Sequence, residues 1–297
     1  MKKNYLIIMV LLFAVSGVRA QEVSIGVKGG LTIPNITPGG TKTPLSEDYK
    51  SRLAWGAGAF ADIRFTKTFS LQVGLEYSGQ GGQKDGMQAL PAAATIAGIM
   101  GNIGSAGLTE EMVQMLSGIM PNDKYLYADF KSTAKFNYLM LPVQAKFGWN
   151  LSPASPFRFY VSAGVFGSYR LSAKRVSEGV SPFYLKANEN YVGLGTYLGG
   201  AIDAIPGVPP GTGDYVKGLF DSNVKTKDDT QTITDDIKSF NFGVIGAVGF
   251  SYRFCDRHKV FIEGGGNYGL VKIQKSAENG QNRIGCGSVM LGYSFTL

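Results

Sequence analysis

Histidine is almost absent from this chain, cysteine occurs twice, and after the first twenty residues no apolar run is long enough to cross a bilayer as a helix. Each scarcity excludes something. The single histidine, His258, lies in the polar stretch "CDRHK", with neither a serine nucleophile nor an orienting acid placed beside it. A hydrolase built on a Ser–His pair therefore has little support, and a surface turn residue is the plainer reading. Charged residues make up only 17% of the chain. Asp228, Asp229, Asp235 and Asp236 cluster in "KDDTQTITDD" but lack the acid spacing and turn glycine of a calcium loop, so a solvated acidic segment is expected there. No catalytic residue, metal site or cofactor is expected.

The first twenty residues read as an export signal. Lys2 and Lys3 precede an apolar run from Tyr5 to Val15, and Val18-Arg19-Ala20 supplies small residues where a signal peptidase reads them. Cleavage is expected after Ala20, leaving a mature domain over 21–297. The run is shorter than the roughly 20 residues a spanning helix needs, and no cysteine follows the cleavage site to take a lipid. Cleavage removes three of the 29 basic residues and none of the 22 acidic ones, so the net charge falls from +7 to +4. That is too mild to argue for nucleic acid as a partner. Without a spanning helix, any embedding in lipid must come from strands closed into a barrel, which leave no backbone edge unpaired.

What is abundant suits strands and tight turns: 41 glycines and 12% aromatics. Eight segments alternate with a period of two, the spacing that puts successive side chains on opposite faces. Val23, Ile25, Val27 and Leu31 oppose Glu22, Ser24, Lys28 and Thr32; Trp55 to Phe65 oppose Asp62 and Arg64; Phe69 to Tyr77 oppose Ser70, Gln72 and Glu76. Residues 135–149, 157–171, 240–254, 260–271 and 289–297 repeat the pattern, the seventh least cleanly because Phe261 and Val271 fall on its polar side. Short links at 66–68, 150–156 and 255–258 alternate with long ones at 34–52, 79–134, 172–239 and 274–283. Short periplasmic turns and long outer loops are the asymmetry of bacterial barrels. The expectation is an all-β fold, an eight-stranded antiparallel up-and-down transmembrane β-barrel in the outer membrane. One long loop would contain a short helix, in "LTEEMVQMLSGIM", capped by Thr109 and packed on the barrel mouth. A soluble lipocalin-like barrel would turn its apolar face inward. Aromatic rings near strand ends favour lipid outside, with Phe65, Phe69, Phe147, Trp149, Phe254 and Phe295 as a periplasmic girdle.

The stretches "VSIGVKGGLTI", "FNYLMLPVQAKFGW" with Pro142 inside a strand, and "DIKSFNFGVIGAVGFSYRF" resemble the outer-membrane β-barrel family of Bacteroidetes that includes PorT-like proteins, similar in fold to small OmpA-like and OmpX-like barrels. The resemblance covers about two-thirds of the mature chain as a barrel framework and carries no catalytic motif. One class of that family assists protein secretion, and none of the quoted stretches singles that class out.

An eight-stranded interior is filled by side chains, which argues against an open pore. Its expected charges are Lys28, Asp62, Arg64, Glu76, Lys146, Arg158, Arg170, Arg253 and Glu263, read as a structural plug of ion pairs, with Arg253 and Glu263 within reach of each other. Cys255 and Cys286 fall at opposite ends of the barrel and are expected unpaired. Two functional readings follow beside the poorly supported hydrolase: a non-enzymatic barrel whose outer loops bind a partner, and a small-solute channel. Outer-membrane lipid is the expected surroundings, and a protein is the expected partner of the loops.

Overall fold

The structure, a computed structural model, describes residues 22–40, 42–103, 110–223, 225–276 and 281–297; the expected leader over 1–20 and the capping Thr109 lie outside them. Eight long strands form the wall: β1 (Glu22–Pro38), β2 (Ala54–Arg64), β3 (Phe69–Lys84), β6 (Lys131–Asn150), β7 (Phe157–Glu178), β11 (Phe240–Cys255), β12 (His258–Gly269) and β13 (Asn282–Thr296). Each pairs antiparallel with its neighbour in sequence order, and β13 pairs with β1 to close the ring. This is the eight-stranded up-and-down barrel, and no described helix is long and apolar enough to cross a membrane.

The alternation resolves as expected of a wall in lipid. Ile25, Val27 and Leu31 point outward while Ser24, Lys28 and Thr32 of the same strand are buried inside. Two aromatic belts bound the outward band. At the end carrying the short turns, Phe69 lies 5.2 Å from Phe147, Phe159 5.2 Å from Phe250, and Phe157 4.8 Å from Tyr252. At the other end Trp55 stacks on Tyr77 at 4.5 Å and Tyr169 meets Phe240 at 5.1 Å. The β2–β3 turn is locked locally, since the Thr66 hydroxyl accepts the backbone N–H of Phe69 at 2.9 Å. Pro142 points inward opposite Gly74, and the β3–β6 ladder skips this step because proline has no N–H to give.

Two expectations are corrected. The long loops do not begin where the apolar faces end. β3 runs to Lys84, β6 starts at Lys131 and β7 ends at Glu178, so the connections are shorter than 79–134 and 172–239. Twenty residues of β6, at a tilt near 40°, span about 50 Å, roughly twice the height of the apolar band. Beyond the band the barrel stands in water and its pattern inverts: Lys135 and Lys174 face out while Phe136 and Ala173 are buried. A scan for outward apolar residues sees loop there. A bulge assists the inversion, since Leu171 of β7 has no partner between the pairs Asn137–Ser172 and Tyr138–Arg170.

The second correction concerns the loops' content. Rather than one short helix, the two longest connections contain four described helices and a small sheet. The first connection holds β4 (Met87–Pro91), α1 (Ala92–Ile103), α2 (Glu110–Ile119) and β5 (Tyr125–Asp129). The next holds β8 (Tyr184–Ala187), β9 (Asn190–Gly193), α3 (Leu194–Asp203), α4 (Thr212–Asn223) and β10 (Asp229–Thr232), the last added to the edge of β7. β4, β5, β8 and β9 pair as one sheet drawn from both connections. Leu116 and Leu126 from the first pack with Leu198, Ile202, Val216 and Phe220 from the second in a single apolar cluster. Glycine-rich "LGTYLGGAID" and "TGDYVKGLFDSN" have weak intrinsic helix preference, so this shared core, not local propensity, holds the helices.

Candidate functional site

The barrel interior is layered along its axis. Next to the short turns, Glu22 accepts from three groups: Arg64 on one carboxylate oxygen, and on the other Lys259 at 2.7 Å and Thr296 at 3.1 Å. One layer further in, Lys146 Nζ lies 3.4 Å from Asp62, donates to Gln72 at 3.2 Å, and sits 3.9 Å over the Tyr160 ring. Near mid-depth, Lys28 Nζ bridges Glu76 and Glu263 at 2.9 Å each, all three side chains being no more than 10% exposed. The Tyr160 hydroxyl donates to the second oxygen of Glu263 at 3.1 Å. Phe60, Tyr160 and Phe261 fill the space between these ions, and each lies against a glycine directly across the ladder: Gly26, Gly249 and Gly292. A methyl group at any of the three would fall within 2.5 Å of the ring it faces.

Of the nine charged residues expected inside, the structure groups Lys28, Glu76 and Glu263 in one cluster and Lys146 with Asp62 in a second; Arg64 joins Glu22. Arg253 and Glu263 do not meet. Arg253 lies opposite Lys259 and Glu263 opposite Gly249, four residues deeper on the hairpin, so the expected diagonal pair is replaced by Lys28–Glu263. Arg158 donates to the Lys67 carbonyl at 2.9 Å and to Asn150 at 3.4 Å. Arg170 belongs to the outer half, where it donates to the Lys238 carbonyl at 3.3 Å. Glu22, Lys259 and Tyr160 complete the network and were not singled out, although the parity of their strands already turned them inward.

Above this ionic half the interior is mixed, with an apolar cluster set among buried polar groups such as Gln80, Ser168, Arg170 and Asn241. Phe136, Tyr138, Met140, Phe166 and Ile284 from the wall close around Ile233, Ile237 and Ile273, which the last two outer connections turn inward as a cork. Backbone hydrogen bonds fix that cork: Ile233 N–H to Ala173 O at 3.0 Å and Lys238 N–H to Ile273 O at 2.7 Å. The free space follows the same layering. A cavity of about 300 Å³ opens at the short-turn end, lined by Arg64, Lys146, Arg158, Arg253 and Lys259. Beyond it lie smaller pockets, of about 30 Å³ beside Lys28 and about 10 Å³ beside Tyr138. Pockets of that size hold one or two waters.

Outside the membrane, Lys84 ties an outer connection down. Its ammonium donates to the carbonyls of Leu45 at 3.1 Å and Pro44 at 3.3 Å and lies 4.5 Å over the Tyr49 ring. Burial lowers its pKa to about 8, with Asp48 and Glu47 acting against that shift and Arg175 adding to it. Asp228 accepts the Gly179 N–H at 2.7 Å, and no group of three or more metal-ligating side chains occurs among the described residues. His258 begins β12 in an aromatic setting, its Nδ1 2.6 Å from the Tyr293 hydroxyl and its ring 5.2 Å from Phe295. Cys255 is exposed at the short-turn end and Cys286 is buried on β13; both are free.

A family model described as an outer membrane protein beta-barrel domain matches residues 19–275. The chain belongs to this outer-membrane barrel family. The protein is located in the outer membrane, and β13, which lies beyond the matched stretch, is the strand that closes the family's barrel here. Solved structures similar to it include Neisserial surface protein A, with 10% identity over 91% of this chain and 96% of that one, at a TM-score of 0.33. OprG of Pseudomonas aeruginosa has 9% identity over 94% and 99%, at 0.34. The outer membrane protease OmpT of Escherichia coli has 10% identity over 94% and 98%, at 0.41. Among curated proteins no relative matches the sequence.

Proposed function

We infer that this outer-membrane barrel is a non-enzymatic scaffold whose outer connections bind a partner at the cell surface, in the service of a secretion or surface-assembly process. One observation carries the reading: the two longest connections fold together around a common core, above a barrel whose interior is filled by ion clusters in one half and by the isoleucine cork in the other. Connections that merely join strands need only a few residues. Ordering two long segments around buried leucines costs conformational entropy that a linker would not spend. Binding residues are often loop-borne, because loops on a rigid scaffold tolerate change without unfolding it. The secretion role is suggested only by the resemblance to a family of which one class assists secretion.

The test follows from the shared core. Removing one connection alone would expose the apolar half left behind, so residues 87–128 and 182–223 are replaced together by short Gly-Ser turns, leaving β10 and the isoleucine cork in place. The barrel is expected to assemble and keep its heat-modifiable migration, because shortening a loop changes closure entropy only by about (3/2)RT ln n. The variant is expected to lose whatever surface or secretion phenotype the intact gene restores to a deletion strain. Full complementation by the trimmed barrel would move the function into the wall or the interior.

A further inference from the structure

We propose that the cavity at the short-turn end of the barrel is a periplasm-facing binding site for a phosphate-bearing anion. Short turns mark the periplasmic side of such barrels, so the cup opens inward, away from the outer subdomain. Its lining carries five cations, Arg64, Lys146, Arg158, Arg253 and Lys259, and one acid, Asp62. The acids within reach are already engaged: Asp62 by Lys146, and Glu22 by Arg64 and Lys259. That leaves Arg158 and Arg253 without a carboxylate partner among the described residues.

The arrangement is built to stay that way. Arg158 is held by two neutral acceptors, the Lys67 carbonyl and the Asn150 amide oxygen, which position the guanidinium without neutralising it. Gly148 makes room for it, since a methyl group there would fall 2.5 Å from Arg158 Nε. Arg253 stands directly opposite Lys259 across the β11–β12 hairpin, a like-charge pairing that destabilises a ladder unless something relieves it. The remaining polar lining is rich in donors, with Ser70, Ser251 and Ser294 around the cup. Low-dielectric walls focus the field of such a cup on its centre, so an anion entering from the periplasm is drawn in and held. Guanidinium forks match phosphate oxygens in pairs, and a volume of about 300 Å³ suits a phosphate monoester or a diphosphate. The same chemistry is presented by a soluble phosphate compound and by a phospholipid headgroup of the inner leaflet.

Calorimetric titration of pyrophosphate into the folded full-length chain, in a nonionic detergent, tests the site. Saturable binding of one equivalent is expected. Arg158→Gln and Arg253→Gln are each expected to weaken it by about tenfold or more, as loss of a charge-assisted hydrogen bond implies. Arg257→Gln, the same charge change on the adjacent turn but outside the cavity lining, is expected to leave it unchanged. Heat-modifiable migration confirms that each variant is folded. Should Arg158→Gln fail to fold, Arg253→Gln alone decides, because that side chain is exposed at the cup. Repeating the titration with phosphatidylglycerol in the micelle separates the sources: competition assigns the site to a headgroup, and undiminished binding assigns it to a soluble phosphate. Absence of saturable binding, or binding of wild-type strength in both arginine variants, overturns the proposal.

Discussion

Replacing Lys28 by methionine is expected to destabilise the barrel by about 3–5 kcal/mol, the usual penalty for stranding the partners of a buried ion pair. Lys28 sits between Glu76 and Glu263 at 2.9 Å from each, and its side chain is 5% exposed. Without it two carboxylates face each other inside the wall, and Glu263 keeps only the Tyr160 hydroxyl as a donor at this depth. The companion variant K28M/E76Q/E263Q removes all three charges and should recover most of the loss, because a neutral polar or apolar replacement of a buried ionic cluster is often tolerated. Urea unfolding in detergent, followed by the fluorescence of Trp55 and Trp149, measures both. If Lys28→Met alone unfolds at the wild-type midpoint, the ion cluster does not hold the barrel together.

The second large effect belongs to the lipid face. Val143, Val165 and Val244 lie side by side across β6, β7 and β11, midway between the two aromatic belts. Val165 points outward, 59% exposed once lipid is disregarded. Arginine at Val165 is expected to cost about 2–4 kcal/mol and to impair assembly. Leu141 also faces lipid, but it stands nearer the outer belt formed by Tyr169 and Phe240, so Leu141→Arg should cost less, the penalty falling towards the interface. Assembly yield in vesicles, compared for the two variants, reads the gradient. Equal penalties at both depths would contradict the placement of the band.

Much of the wall was legible in the sequence because lipid and a packed interior impose opposite demands on alternate residues. Wherever both demands act, as from Val23 to Leu31 on β1, the parity assigns the side chains correctly. The reading stops where lipid stops. Beyond Leu139 on β6 and Leu171 on β7 the outer face meets water, the apolar residues turn inward, and strands look like loops. The helices of the outer subdomain were hidden for a related reason. α1 is almost wholly apolar, and α3, although Leu194, Leu198 and Ile202 form a buried stripe, is rich in glycine and has no side-chain cap; the core that holds them also draws on a second connection far along the chain. Inside the barrel, parity named the charged residues but not their pairing. Arg253 and Glu263 are close in sequence, yet Glu263 takes its partner Lys28 from β1, 235 residues away, because both point to the axis at the same depth.

The central claim is that the barrel is sealed, by the ionic layers in one half and the isoleucine cork in the other, so that the outer subdomain and not a pore carries the function. Conductance of the purified, folded chain in a planar bilayer tests it most directly. The account predicts a silent membrane at physiological salt; steady, ion-sized openings that scale with the number of inserted barrels would contradict it.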